Sequence, residues 1–247
     1  MALSFIPFQF PGLAHVHCAF QTRTGGFSAG GYGGGNISFA TSDDPQAVLR
    51  NRQSLHHELG LEDIAELNQI HTDNLVFEPE PVAAAASPQV NADGMACTRP
   101  RLGLCIKTAD CQPILLAHKQ GRHIMALHAG WRGNRCNFPE SAVQRFCQHY
   151  QLKPADLLAV RGPSLGPALA EFINFDTEWG TDFLPWFAAQ EQCMDLWSLT
   201  KHQLIQAGLQ PRNIFSLDLC TATMNSLFFS YRKEKKSGRQ GSVIWFD

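Results

Sequence analysis

Two apolar runs, residues 112–117 and 123–127, flank the polar turn Lys119-Gln-Gly-Arg122, where Gly121 can take a positive φ. That spacing describes a β-hairpin, and the apolar run at 102–106 just upstream supplies a third strand. The nearly continuous apolar character of the three predicts strands covered on both faces. A turn centred on Gln120 and Gly121 sets His128 opposite Pro113 and Cys111 opposite Gly130. Cys111 and His128 then lie on a diagonal, about 7–8 Å apart along the backbone, so their side chains can converge. A thiol and an imidazole meeting there can be two metal ligands or a nucleophile and its base, and spacing does not choose between them.

The rest of the chain alternates helices and strands around this hairpin. Asp43-Asp-Pro45 offers an N-cap followed by proline, and Gly60 a stop, which predicts a helix over 45–59 with Val48, Leu55 and Leu59 on one face. Residues 64–78 read as extended around Gln69-Ile-His71, and 83–87, with four alanines, as a loop or short helix. A second helix is expected over 138–150 behind Pro139. A third is capped by Asp195, runs to about Ala207 and closes at Gly208. Strands at 213–217 and 241–246 complete an α+β fold, expected as a three-layer α/β/α sandwich with a mixed sheet in a single domain spanning 1–247.

Composition excludes several classes. A net charge of −2 over 247 residues argues against nucleic acid as the main partner, because phosphate backbones demand a basic surface. No apolar run approaches the roughly 18–20 residues that span a bilayer. The first ten residues lack the basic start of a signal peptide, so no membrane partner and a cytoplasmic location are expected. Eight cysteines without a C-x-x-C pair read as free thiols rather than a disulfide framework. The segment from Thr24 to Asn36 holds seven glycines yet matches neither G-x-x-x-x-G-K-[ST] nor G-x-G-x-x-G after a strand. A flexible loop is therefore favoured over a phosphate cradle, with Arg23 and Arg132 as candidate anion contacts. The absence of G-x-S-x-G disfavours a serine hydrolase of the α/β-hydrolase type.

Two ligands are too few for zinc, so a metal reading of Cys111 and His128 requires a third. His71, at the break between two extended segments, is favoured modestly over His15/His17, His56/His57 and His118/His123.

At these residues the sequence meets a known pattern. Thr22-Arg-Thr-Gly-Gly-Phe-Ser, Asn68-Gln-Ile-His71, Ala92-Asp-Gly-Met95 and Thr108-Ala-Asp-Cys111-Gln-Pro-Ile-Leu-Leu occur in family order. They are followed by His128-Ala-Gly-Trp-Arg-Gly133, Gly162-Pro-Ser-Leu-Gly-Pro167, and Phe228-Phe-Ser-Tyr-Arg232 with Gly238-Arg-Gln. Together they resemble the YfiH-type family, also called the laccase-domain or polyphenol-oxidase-like purine nucleoside phosphorylase family, from about residue 15 onward. The resemblance implies an α/β/α sandwich and one metal site, usually zinc with copper as the alternative, held by the residues matching His71, Cys111 and His128. It implies small-molecule substrates, a purine nucleoside and phosphate. The reaction is phosphorolysis of adenosine, inosine and 5′-methylthioadenosine, with adenosine deamination attributed to the family as well.

Within that expectation Cys111, His128 and Asp110 are the candidate catalytic residues. Arg23, Asn36, Asp93 and Arg132 are the candidate contacts for substrate and phosphate. Asp93 or Asp110 would orient a ligand histidine or protonate the leaving base. Alternatives are a cysteine amidohydrolase acting on cell-wall precursor peptides, a copper-dependent polyphenol oxidase and a non-catalytic metal-binding protein. The chain departs from the family in two places: Asn134-Arg-Cys-Asn-Phe138 follows the His-Ala-Gly-Trp-Arg-Gly block, and Ala170-Glu-Phe172 replaces a tyrosine–glutamate–valine. The oligomeric state is left open.

Overall fold

In the computed structural model, which describes residues 2–247, alternate residues of each long strand enter different apolar clusters, and this sorts the molecule into layers. The strands are β1 (Phe5–Phe8), β2 (Val16–Gln21), β3 (Asp63–Glu66), β4 (Leu75–Phe77), β5 (Gly94–Cys97), β6 (Leu102–Thr108) and β7 (Gln112–His118). They continue as β8 (Ile124–Ala129), β9 (Leu157–Arg161), β10 (Phe187–Ala188), β11 (Cys193–Met194), β12 (Ile214–Ser216) and β13 (Gln240–Phe246). One sheet has the order β1-β2-β13-β6-β3 and a second β12-β9-β7-β8-β5-β4, while β10 and β11 pair by themselves. Both large sheets are mixed: β3 runs parallel to β6, β4 to β5 and β12 to β9.

The two large sheets face each other. Val16, Cys18, Phe20, Leu104, Ile106 and Ile244 of the first meet Leu115, Ala117, Ala126 and Val160 of the second. The outer face of the second sheet (Ile114, Leu116, Met125, Leu127) packs on Phe138, Val143, Phe146 and Leu204 from the Phe138–Tyr150 and Leu196–Gln206 helices. The outer face of the first sheet (Ile64, Cys105, Val243) receives Leu55 from the Pro45–Leu59 helix. The α+β class is as expected, but the β layer is two sheets thick, giving helix, sheet, sheet, helix. Strands apolar on both faces are satisfied equally by a helix or by another sheet, so their sequence does not set the layer count.

Local signals place the helices. Asp44 accepts the amide of Gln46, Pro45 opens the first helix and Gly60 closes it in the left-handed region. Asp195 caps the Leu196–Gln206 helix in the same way, through Ser198. Strands β1, β2, β5 and β9 have no counterpart in the sequence reading, nor does the stretch 165–195. That stretch folds around Leu165, Phe172, Trp179 and Met194 from elements too short to show a period. All eight cysteines are free. Among the described residues no helix is long and apolar enough to cross a membrane.

Candidate metal centre

Strands β7 and β8 pair Gln112 with Ala129 and Pro113 with His128, and Gly121 turns the hairpin at φ 68°. This is the register that the apolar runs and the glycine dictate. Cys111 immediately precedes β7, and His128 is the penultimate residue of β8. His71 comes from the connection between β3 and β4, in a left-handed conformation (φ 61°) that non-glycine residues rarely adopt. One ligand atom from each of the three lies within 4.8 Å of the others. Cys111 Sγ is 3.8 Å from His71 Nε2, and the two imidazoles stand nearly perpendicular with centroids 4.8 Å apart.

Asp93, fully buried one position before β5, organises both histidines. Its Oδ1 accepts from His128 Nδ1 at 2.7 Å, which leaves His128 Nε2 as the free ring nitrogen. Its Oδ2 accepts from the amide of Thr72 at 2.6 Å, the Thr72 hydroxyl at 3.0 Å and the amide of Ile70 at 3.3 Å. One carboxylate thus fixes the His128 ring and the backbone on both sides of His71. Beneath the three donors the chain must stay bare: a Cβ on Gly130 would lie 2.9 Å from His71 Cδ2 and 3.0 Å from Cys111 Sγ.

The electrostatics follow this geometry. Burial pushes the Cys111 thiol up, but the charge and hydrogen bonds of His128 and His71 outweigh it and bring the thiol down to about 6. Burial pushes His128 down, yet the adjacent thiolate and Asp93 raise it to about 9. Asp93, opposed by burial but bonded to His128 and to the amides around His71, falls to about 2 and stays a pure acceptor.

The donor set fits a metal that prefers thiolate and imidazole. Tetrahedral zinc with bonds of about 2.0–2.3 Å places donors about 3.3–3.7 Å apart, close to the observed thiol–imidazole separation. Three protein ligands also leave a fourth position for water or substrate.

The three residues line a cavity of about 500 Å³, within the roughly 300–1,000 Å³ typical of small-molecule sites. Lys107, Thr108, Tyr231 and Arg239 share its wall. Lys107, Tyr231 and Arg239 were not singled out by sequence reasoning; the only signal was the placement of Tyr231 and Arg239 within the C-terminal family blocks.

Several expected contacts are corrected. The Arg23 guanidinium lies outside the cavity wall, paired with Glu234 at 2.9 Å, bonded to Asn225 O and Gly33 O, and stacked on Phe229. Asn36 is fully buried, its side chain spent on Ser38, Thr41, Asp43 and the amide of Arg239. Arg132 stacks on Trp131 away from the cavity. Asp93 has no face for substrate. Asp110, strained at φ 96°, accepts from Thr221, Ser230 and the amide of Arg232, so it ties loops together and has no histidine partner. The glycine segment folds on itself through Ser28–Gly34 and Gly35–Arg23 bonds, and any Cβ on Gly34 would strike Arg23 O. Asn134, the first departure from the family pattern, joins Gln112, Thr200 and Gln203 in a buried hydrogen-bonded network beside Cys111.

Comparison with known proteins places these features among relatives. Residues 17–247 match the family described as multi-copper polyphenol oxidoreductase laccase. The Escherichia coli protein named purine nucleoside phosphorylase YfiH is 32% identical over 249 residues, covering 96% of each chain. The crystal structure of the hypothetical protein YfiH from Bacillus licheniformis superposes with a TM-score of 0.85 at 26% identity, covering 94% of this chain and 93% of the other. A Neisseria meningitidis crystal structure gives 0.84 at 30% identity, covering 98% and 99%.

Proposed function

The chain belongs to the multi-copper polyphenol oxidoreductase laccase family, and on that premise we propose that it is a zinc-dependent enzyme of the purine nucleoside phosphorylase type. Its proposed substrates are adenosine, inosine and 5′-methylthioadenosine with phosphate, and deamination of adenosine is a proposed second reaction. The relatives named purine nucleoside phosphorylase support the substrate class. The observation that carries the reading is one cavity bounded by His71, Cys111 and His128, with Asp93 holding both histidines in place. A multicopper cluster needs several histidine pairs, whereas these three residues form the one such donor group among the described residues.

His71, Cys111 and His128 would hold the ion, which when bound supplies positive charge to polarise an oxygen and lower the pKa of water. The chain's own groups do the rest. Asp93 keeps the proton on His128 Nδ1, so that Nε2 faces the donors. Tyr231 offers an aromatic face to a purine from the cavity wall. In phosphorolysis the glycosidic carbon–nitrogen bond breaks, the base leaves with the electron pair and takes a proton, and a phosphate oxygen bonds to the sugar carbon.

Zinc-loaded protein given adenosine and phosphate is expected to release adenine and ribose 1-phosphate. His71→Ala is expected to lose zinc and base release together. No release from fully loaded protein would overturn the reading.

A second reading has its own support. Cys111, His128 and Asp93 also line up as thiol, imidazole and carboxylate, with the thiol brought down to about 6. Metal-free protein that still cleaves an amide, and is inactivated by thiol alkylation, would favour that chemistry.

A further inference from the structure

Phosphorolysis requires a polyanion to be held beside the sugar, and the cavity wall carries three cations: Arg52, Lys107 and Arg239. Two of them share a single carboxylate, so that trio keeps one net positive charge but both side chains are already engaged. Arg52 and Lys107 both pair with the buried Glu66, at 2.6 Å and 2.7 Å. Arg239 has no carboxylate partner among the described residues.

Its position is fixed nonetheless. Arg239 Nη1 donates to Ser237 O at 2.8 Å and Gly238 O at 2.9 Å, while Nε and Nη2 have no protein acceptor among the described residues. The backbone on either side is anchored as well, because Asn36 Oδ1 accepts the Arg239 amide and Ile37 N donates to the Arg239 carbonyl. Arg239 lines the same cavity as His71, Cys111 and His128, and burial holds its guanidinium below the ordinary arginine pKa.

A second feature points the same way. Thr108 also lines the cavity, is 2% exposed, and its hydroxyl has no hydrogen-bond partner. Thr108 pairs across the sheet with Gln240, the residue after Arg239. A buried hydroxyl left unpaired is costly unless a ligand satisfies it.

We propose that Arg239, with the Thr108 hydroxyl, is the binding site for the inorganic phosphate co-substrate. A guanidinium with two free donor nitrogens matches two phosphate oxygens at once, which an ammonium cannot. The proposal rests on the phosphorolysis reading for its ligand, but not for its measurement.

The test uses zinc-loaded full-length protein and inorganic phosphate, with binding followed by calorimetry in the absence of nucleoside. Arg239→Gln is expected to weaken phosphate binding roughly ten- to a hundredfold, the range for losing a hydrogen bond to a charged partner. Arg239→Lys should fall between the two, and Thr108→Val should weaken binding by a smaller factor. The KM for phosphate should rise in step, while the KM for nucleoside and the zinc content stay within about twofold of the parent, well under the tenfold that 1.4 kcal/mol would represent. Phosphate binding unchanged in Arg239→Gln, no phosphate binding by the parent protein, or zinc lost along with phosphate in Arg239→Gln and Thr108→Val would each overturn the assignment. Arg239-dependent phosphate binding without any base release would keep the anion site and reject the nucleoside reading.

Discussion

Replacing Asp93 by Asn tests the organisation of the metal centre with almost no change in shape. An aspartate in this position serves four donors: His128 Nδ1 on one oxygen, and the Ile70 amide, the Thr72 amide and the Thr72 hydroxyl on the other. Asparagine has one oxygen and one NH₂ group, and neither orientation suits the site. With the NH₂ towards His128, the imidazole must accept at Nδ1 and carry its proton on Nε2, the nitrogen that should bind metal. With the NH₂ towards Thr72, two donors face each other and the loop carrying His71 is pushed out. Either arrangement loses at least one hydrogen bond to a charged group, about 1.5–3 kcal/mol. Outer partners of this kind are typically worth about 10–100-fold in metal affinity. We expect zinc affinity, measured by competition with a chromogenic chelator, to drop by that factor. The metal-free protein should melt about 3–12 °C lower, at roughly 2–4 °C per kcal/mol for a chain of this size. An Asp93→Asn protein binding zinc within about twofold of the parent would refute the argument that this carboxylate positions the ligands.

Three further outcomes are expected. Gly130→Ala should crowd His71 and Cys111 and cost about 1–3 kcal/mol, visible as reduced zinc occupancy in a protein whose circular dichroism is unchanged. Burial alone would raise the Glu66 carboxyl, but Lys107 and Arg52 hold it below the usual carboxylate range. It therefore contributes stability above the ordinary carboxylate pKa, and this is lost as pH falls through the lower folded value. Glu66→Gln should destabilise by about 3–5 kcal/mol at neutral pH, by leaving two buried cations without their counter-charge, and chemical denaturation across pH should show a flatter acid limb. Asn134→Ala should break the bonds to Gln112, Thr200 and Gln203 at a cost of about 1–3 kcal/mol, measured as a lowered melting temperature.

The hairpin was legible because two apolar runs and one glycine fix its register, and a one-residue slip would move every side chain into the apolar layer on the opposite face. His71 was only weakly legible from spacing: its link to the hairpin runs through Asp93, a contact made by tertiary folding rather than by neighbours in sequence. The misplaced anion contacts share a cause. Arg23 looks free beside its glycines, yet Glu234 and Asn225, more than two hundred positions away, occupy it. Asp110 looks poised beside Cys111, yet residues 221–232 take up both oxygens. A charged residue in sequence shows its capacity to pair but not its partner. Arg239 was overlooked for the converse reason, since its isolation emerges only after every other cation around the cavity has been assigned.

The position of β13 has a kinetic consequence. This strand lies between β2 and β6, pairing Ser242 with Phe20 on one side and with Ile106 on the other. Gln21 reaches the amide of Gly241 across 220 positions of sequence. Neither β2 nor β6 can complete its ladder until that long loop has closed, and such high contact order slows folding. Arg239 sits at the entrance to the same strand, so the cavity gains its unpaired cation only when the sheet is sealed. Refolding should therefore recover the β7–β8 hairpin early and the anion-binding wall last.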